Sequence, residues 1–119
     1  MNKPVRVTLR TARESVRRRE TFKGSNIWGC SLRGGLYVVY SYGLHFPMYV
    51  WDRWAGWIRN TDKYSSSTSR HQSSCDPGVP DMLEMDTESM KQLIFAGSWA
   101  EYVAERMERP RGWREVRCA

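Results

Sequence analysis

The chain has few of the groups on which most enzymes depend. Its 119 residues contain two histidines, His45 and His71, and three widely spaced cysteines, Cys30, Cys75 and Cys118. No CxxC or CxxH pair occurs, so a zinc site would have to be assembled from distant parts such as Cys30, Cys75, His45 and His71. Isolated reduced thiols are the expectation, and neither a metal nor any cofactor is implied. There is no Gly-x-Ser-x-Gly elbow, no Walker loop and no internal repeat. No apolar run approaches the ~20 residues that a membrane-crossing helix needs. Met1-Asn2-Lys3-Pro4 lacks the apolar core of a signal peptide. These absences point to a soluble, cytoplasmic protein with no membrane partner.

Aromatic residues, in contrast, are abundant. Six tryptophans and six tyrosines are many for this length, and each indole N–H needs a partner when buried, which favours half-buried positions. The net charge of +6 is also unevenly spread. Residues 1–24 hold eight basic and two acidic groups, residues 25–75 five and two, and residues 76–119 six and nine, for local nets of +6, +3 and −3. A basic first half is the electrostatic footprint of a nucleic-acid binder.

The pattern along the chain divides into three parts. Val5-Arg6-Val7-Thr8-Leu9 alternates as a strand does, and Thr11-Ala12-Arg13-Glu14 has the form of a capping box opening an exposed helix to Glu20. From Phe22 to Ile58, glycines punctuate runs rich in Tyr, Val and Trp. Leu36 to Tyr42 reads as a central strand covered on both faces, Met48 to Trp51 as a second strand, and Trp57-Ile58 as a third. Tyr64 to Ser69 is expected to be an edge strand or pocket rim, and residues 72–81 a connection. Beyond it, Asp86 or Thr87 caps one helix, Gly97 ends it, and Ser98-Trp99-Ala100-Glu101 opens another that Pro110 and Gly112 stop. The expected fold is α+β in a single domain of residues 1–119. A small antiparallel sheet over about residues 26–70 is packed by C-terminal helices, preceded by a basic N-terminal strand, helix or arm (residues 1–20, 21–74 and 82–109 forming the basic, β-rich and helical parts).

Chemistry concentrates in two segments, residues 38–47 and 60–73, which hold both histidines and a dense group of hydroxyls. For binding, Arg13, Arg17, Arg18, Arg19, Lys63 and Arg70 can neutralise phosphates, while Trp54, Tyr64, Thr68 and His71 supply specific contacts. An alternative is a metal-independent ribonuclease in which His45 and His71 are the acid–base pair and Lys63 or Arg70 stabilises the phosphorane. A third reading makes the hydroxyl cluster purely structural. The acidic groups from Asp76 to Glu108 cap and solubilise helices, or mimic a phosphate backbone toward a basic host groove. The serine run superficially resembles the Ser-Thr-Ser strand of ADP-ribosyltransferases, but the glutamates that follow, Glu84 and Glu88, are placed in a linker and a helix start.

The elements Thr21-Phe22-Lys23-Gly24-Ser25-Asn26, Tyr37 to Pro47 (with Tyr-Ser-Tyr-Gly-x-His-Phe-Pro) and Asn60 to Ser73 (with Asp-Lys-Tyr-Ser-x-x-Thr-Ser-x-His) resemble a family of small uncharacterised bacteriophage and prophage domains. The resemblance covers roughly residues 21–74 and implies a setting rather than an activity. In that setting the expectation is a non-enzymatic protein in the host cytoplasm. It would bind nucleic acid or a host nucleoprotein complex, in the manner of an anti-defence (anti-CRISPR-like) inhibitor.

Overall fold

The structure is a computed structural model that describes residues 3–113, with side chains as far as Met107. Its frame is one seven-stranded sheet in which every strand lies beside its sequence neighbour. The strands are β1 (Val5–Arg6), β2 (Phe22–Gly24), β3 (Ile27–Ser31), β4 (Tyr37–Ser41), β5 (Pro47–Asp52), β6 (Gly56–Asn60) and β7 (Leu83–Met85). Pairs β2 to β6 are antiparallel, whereas β1 on β2 and β7 on β6 are parallel. The sheet is thus larger than the small antiparallel one expected, and mixed, but the α+β class stands.

The two parallel pairs explain where the helices lie. Each needs a crossover connection, supplied by α1 (Ala12–Arg17) for β1–β2 and by α2 (Ser66–Cys75) for β6–β7. Both crossovers step the same way along the sheet between strands of the same direction. Crossovers of one hand then place both helices on one face, and the right hand is almost universally preferred. Ala12 and Val16 of α1 and Cys75 of α2 indeed share a core with Phe22, Ile27, Tyr37, Val39, Tyr49 and Trp57. The opposite face, with Leu36, Val38, Tyr40, Val50 and Ile58, is left to α3 (Thr87–Ala96) and α4 (Trp99–Trp113) through Met90, Leu93 and Tyr102. The sheet is therefore covered by helices on both sides and not by C-terminal helices alone. All five residues of β4 are buried, as its unbroken apolar run requires.

Two tyrosines on the α1/α2 face tether the crossovers. Tyr37 Oη donates to the Glu20 carbonyl just after α1 at 2.5 Å, and Tyr49 Oη donates to the Gln72 carbonyl in α2 at 2.7 Å. Burial pushes both phenols well above their ordinary range, so they remain donors at any physiological pH.

Several local expectations are corrected. Of the alternatives expected for the N-terminal segment, strand and helix are present as β1 and α1, but α1 stops at Arg17 and not at Glu20. Thr11 does not cap it with its side chain; its hydroxyl instead faces Thr8, accepting from the Thr8 N–H at 3.0 Å. Residues 66–75 form a helix, not an edge strand followed by a connection. β7 lies at the start of residues 82–109, the part expected to be helical. Asp86 and Gly97 cap α3 as expected, the former accepting from Ser89 N–H at 2.8 Å and the latter in the left-handed conformation. Ser98 Oγ accepts from Glu101 N–H at 3.2 Å, but α4 continues through Pro110 and Gly112 to Trp113.

Candidate functional site

The hydroxyl-rich segment is first of all a structural device. Ser65 caps α2 by accepting from the Thr68 N–H at 3.2 Å, and its own hydroxyl donates to Thr68 Oγ1. The buried side of the helix is Thr68, His71, Gln72 and Cys75, which is i, i+3, i+4, i+7 spacing carried mostly by polar groups. Those groups are satisfied internally. Gln72 Nε2 donates to the carbonyls of Asn60 and Asp62, both at 3.1 Å, and Gln72 Oε1 accepts from Lys63 Nζ at 3.3 Å. Fully buried Asn60 donates to the Pro47 carbonyl at 2.7 Å and to Thr87 Oγ1 at 3.0 Å. Asp62 in turn accepts from the Thr87 N–H at 2.9 Å, at the start of α3. Thr68 and Lys63 thereby serve the loop between β6 and α2, and the cluster joins the helices of both faces.

The two histidines have different surroundings. His45 is exposed on the β4–β5 turn. His71 is only 5% exposed, and its Nδ1 shares a hydrogen bond of 2.7 Å with Ser41 Oγ, itself fully buried in the central strand. The pair is closed to substrate on the Ser41 side, and His71 acts as a packed ring. Burial, then the neighbouring Arg70 charge, holds its pKa below the ordinary 6.5. The unfolded chain therefore takes up the proton more readily. Stability from this residue is complete above about pH 6.5 and declines as pH falls through that value toward the lower folded pKa. Urea midpoints at about pH 7.5 and about pH 5.5 should differ more for the wild type than for His71→Gln. An equal drop in both would remove this role.

Around His71 the fold gathers an aromatic patch. The Tyr42 ring lies 5.1 Å from the His71 ring between centroids, and the Tyr64 ring 4.4 Å from that of buried Phe46. Tyr42 and Tyr64 are nonetheless 49% and 59% exposed, with Leu44 and His45 exposed on the turn between Tyr42 and Phe46. Tyr42 holds φ 66°, a left-handed conformation that a tyrosine seldom adopts. It is fixed there by donation from its N–H to the Asn26 carbonyl at 2.8 Å. Tyr42 was one of several aromatics that the sequence offered as stacking platforms, without being singled out, and Leu44 was not a candidate. A tyrosine directly before Gly43 in a tight turn is the signal that was available.

The arginines form a second feature. An open groove of about 650 Å³ lies between β1 and α1, lined by Arg6, Arg10, Arg13, Arg17 and Arg18 together with Glu14 and Glu20. It shares Arg10 and Arg13 with a hollow of about 390 Å³ against Ser73 and Ser74 at the C-terminal end of α2. Arg13 Nη2 donates to the Ser73 carbonyl at 2.8 Å and Arg17 Nε to the Pro77 carbonyl at 2.9 Å. These carbonyls orient the two cations without neutralising them. Arg18 is paired with Glu14 at 3.0 Å and lies 3.8 Å from Glu20, and Arg19 stacks 4.0 Å over the Trp51 ring, so these two are engaged locally. Among the described residues no carboxylate pairs with Arg6, Arg10, Arg13 or Arg17.

Trp54 is 77% exposed, but it sits on the β5–β6 turn, at the opposite end of the strands from the Tyr42–Tyr64 patch. Arg70 is exposed on α2, beside His71 in sequence. Cys75 and Cys30 pack on opposite faces of the sheet, and burial raises the Cys75 thiol to about 12. Cys118 lies outside the described residues. Among the described residues no three His, Cys, Asp or Glu side chains converge as a metal ion would need, and no described helix is long and apolar enough to cross a membrane. No protein family, no curated protein and no solved structure matches the chain.

Proposed function

We propose that this protein is a non-enzymatic binder of nucleic acid, acting on the strand itself or on a host complex that carries it. The observation that supports this reading most is the groove between β1 and α1, where four exposed arginines lack carboxylate partners among the described residues and two of the four are held by main-chain carbonyls. Oriented guanidinium groups are suited to phosphate oxygens, which they engage in pairs of hydrogen bonds. The resemblance to phage and prophage domains makes an anti-defence role the natural setting. The ribonuclease alternative asks for two open imidazoles, whereas His71 is buried against Ser41.

The test is retention of labelled oligonucleotide at about 50 and about 200 mM salt, with prolonged incubation to check that the strand stays intact. If the four arginines each meet a phosphate, affinity for a single strand should fall by about 50-fold across that interval, from a slope of roughly 0.7 per contact. Arg6→Ala and Arg10→Ala, at positions with no side-chain hydrogen bond to lose among the described residues, should each lower the slope by about 0.7, the share of one contact. Absence of retention at low salt would remove the proposal. Cleavage that disappears with His45→Ala or His71→Ala would replace it with the ribonuclease.

A further inference from the structure

We infer that the Tyr42–Tyr64 patch is a base-stacking platform, which makes the bound nucleic acid single-stranded. This rests on the reading of the basic groove as a phosphate site and adds to it the part that touches bases.

Three observations converge on the patch. First, each exposed ring leans on a buried ring, Tyr42 on His71 at 41° and Tyr64 on Phe46 at 39°, so each has a packed neighbour while much of the ring stays open. His71 is in turn anchored by Ser41 in the central strand. A platform ordered in advance loses little side-chain freedom on binding. Second, Tyr42 is kept in a left-handed conformation that glycine would occupy without strain, and such strain persists where the side chain has a use. Third, charge and position fit a strand. Tyr64 lies at the N-terminal end of α2, Tyr42 lies on His71 midway along it, and the arginine hollow is at its C-terminal end. The ten residues of α2 are about 15 Å long, so tyrosines and hollow fall within the length of a site of roughly 4–16 nucleotides. Exposed Lys63 and Arg70 add positive charge before and within α2, Lys63 while donating to Gln72 Oε1, and nearby Asp62 is occupied by the Thr87 N–H. Duplex DNA can reach the arginines, but its paired and stacked bases cannot lie on the tyrosines.

Fluorescence anisotropy with labelled oligo(dU) of about 15 nucleotides, the matching duplex and inorganic polyphosphate separates the parts. Tyr64→Ala and Tyr42→Gly should each weaken oligo(dU) binding by roughly 5- to 150-fold, leave the salt slope unchanged and leave duplex and polyphosphate binding as in wild type. Tyr42→Gly is the decisive variant, because glycine suits φ 66° and the thermal midpoint should not fall far while binding does. Should that midpoint collapse, Tyr42→Asn, which also tolerates the left-handed region, takes its place. Wild-type oligo(dU) affinity in the folded tyrosine variants would overturn the platform and leave the groove intact. An equal loss on oligo(dU), duplex and polyphosphate would overturn it as well. If wild-type protein holds none of the three probes at low salt, the groove reading fails first and the platform with it.

Discussion

Asp52→Ala is expected to lower the unfolding free energy by about 3–4 kcal/mol and the thermal midpoint by roughly 10–15 °C. Asp52 ends β5 and is almost fully buried. Its Oδ2 accepts from the N–H groups of Trp54 and Ala55 at 2.7 and 3.0 Å, which closes the β5–β6 turn. Its Oδ1 accepts from the Trp99 N–H at 2.9 Å, the first residue of α4. One carboxylate thus shapes a hairpin and docks a helix N-terminus, where a negative charge is favoured by the unsatisfied amides. Hydrogen bonds to an ionised acceptor contribute about 1.5–3 kcal/mol each, and the three share one group, so the total is less than their sum. Asp52→Asn should fall between wild type and alanine, since the amide keeps one accepting oxygen and turns a donor toward the other N–H groups. A shift below about 1 kcal/mol for the alanine variant would mean that packing of Tyr102 and Leu93 holds α4 without help from Asp52. Because α1 and α2 cover the other face, oligonucleotide binding by the folded fraction should survive the change.

The sheet centre was legible because apolar residues there are continuous and glycines mark the turns. β4, β5 and β6 fall within a few residues of where Leu36–Tyr42, Met48–Trp51 and Trp57–Ile58 suggested. The caps of α3 were legible for a similar reason, since Asp86 and Gly97 act through local chemistry. α2 was not, because its inward face carries hydrogen-bonding groups where periodicity rules look for apolar ones. Thr68, His71, Gln72 and Cys75 have helical spacing but earn burial only through partners on β4, β5 and the loop after β6. β1 and β7, at two and three residues, are too short to show a period and exist as parallel pairs closed by crossovers. Missing α2 also obscured the site. Only once residues 66–75 are helical do Tyr64 and Arg13 belong to opposite ends of one element. The arginines were found from charge alone, although the structure divides them into locally engaged Arg18 and Arg19 and open Arg6 and Arg10, the latter two not among the candidates.

Gly34→Ala should destabilise by about 3 kcal/mol, and Gly35→Ala by only about 1 kcal/mol. The two glycines are adjacent in the β3–β4 turn with φ 88° and 99°, so a side chain costs similar backbone strain at either. Their surroundings differ. A Cβ on Gly35 meets nothing within 4 Å, whereas one on Gly34 would press on the Gly97 carbonyl oxygen and sit 3.1 Å from its carbon. Gly97 is the left-handed C-cap of α3, so the clash is with main chain at the corner between α3 and α4 and has no flexible side chain to absorb it. The difference between the two variants therefore reports the docking of that corner with strain subtracted. Asp52 holds the same corner through Trp99, two residues on. Once either contact is lost, the corner can move away and the other matters less. A double-mutant cycle of Gly34→Ala with Asp52→Ala should give a combined loss smaller than the sum by about 1 kcal/mol or more, while Gly35→Ala with Asp52→Ala should add within about 0.5 kcal/mol. Additivity in both cycles would show that turn and carboxylate hold α4 independently, and the helix pair would then not dock on the sheet as one unit.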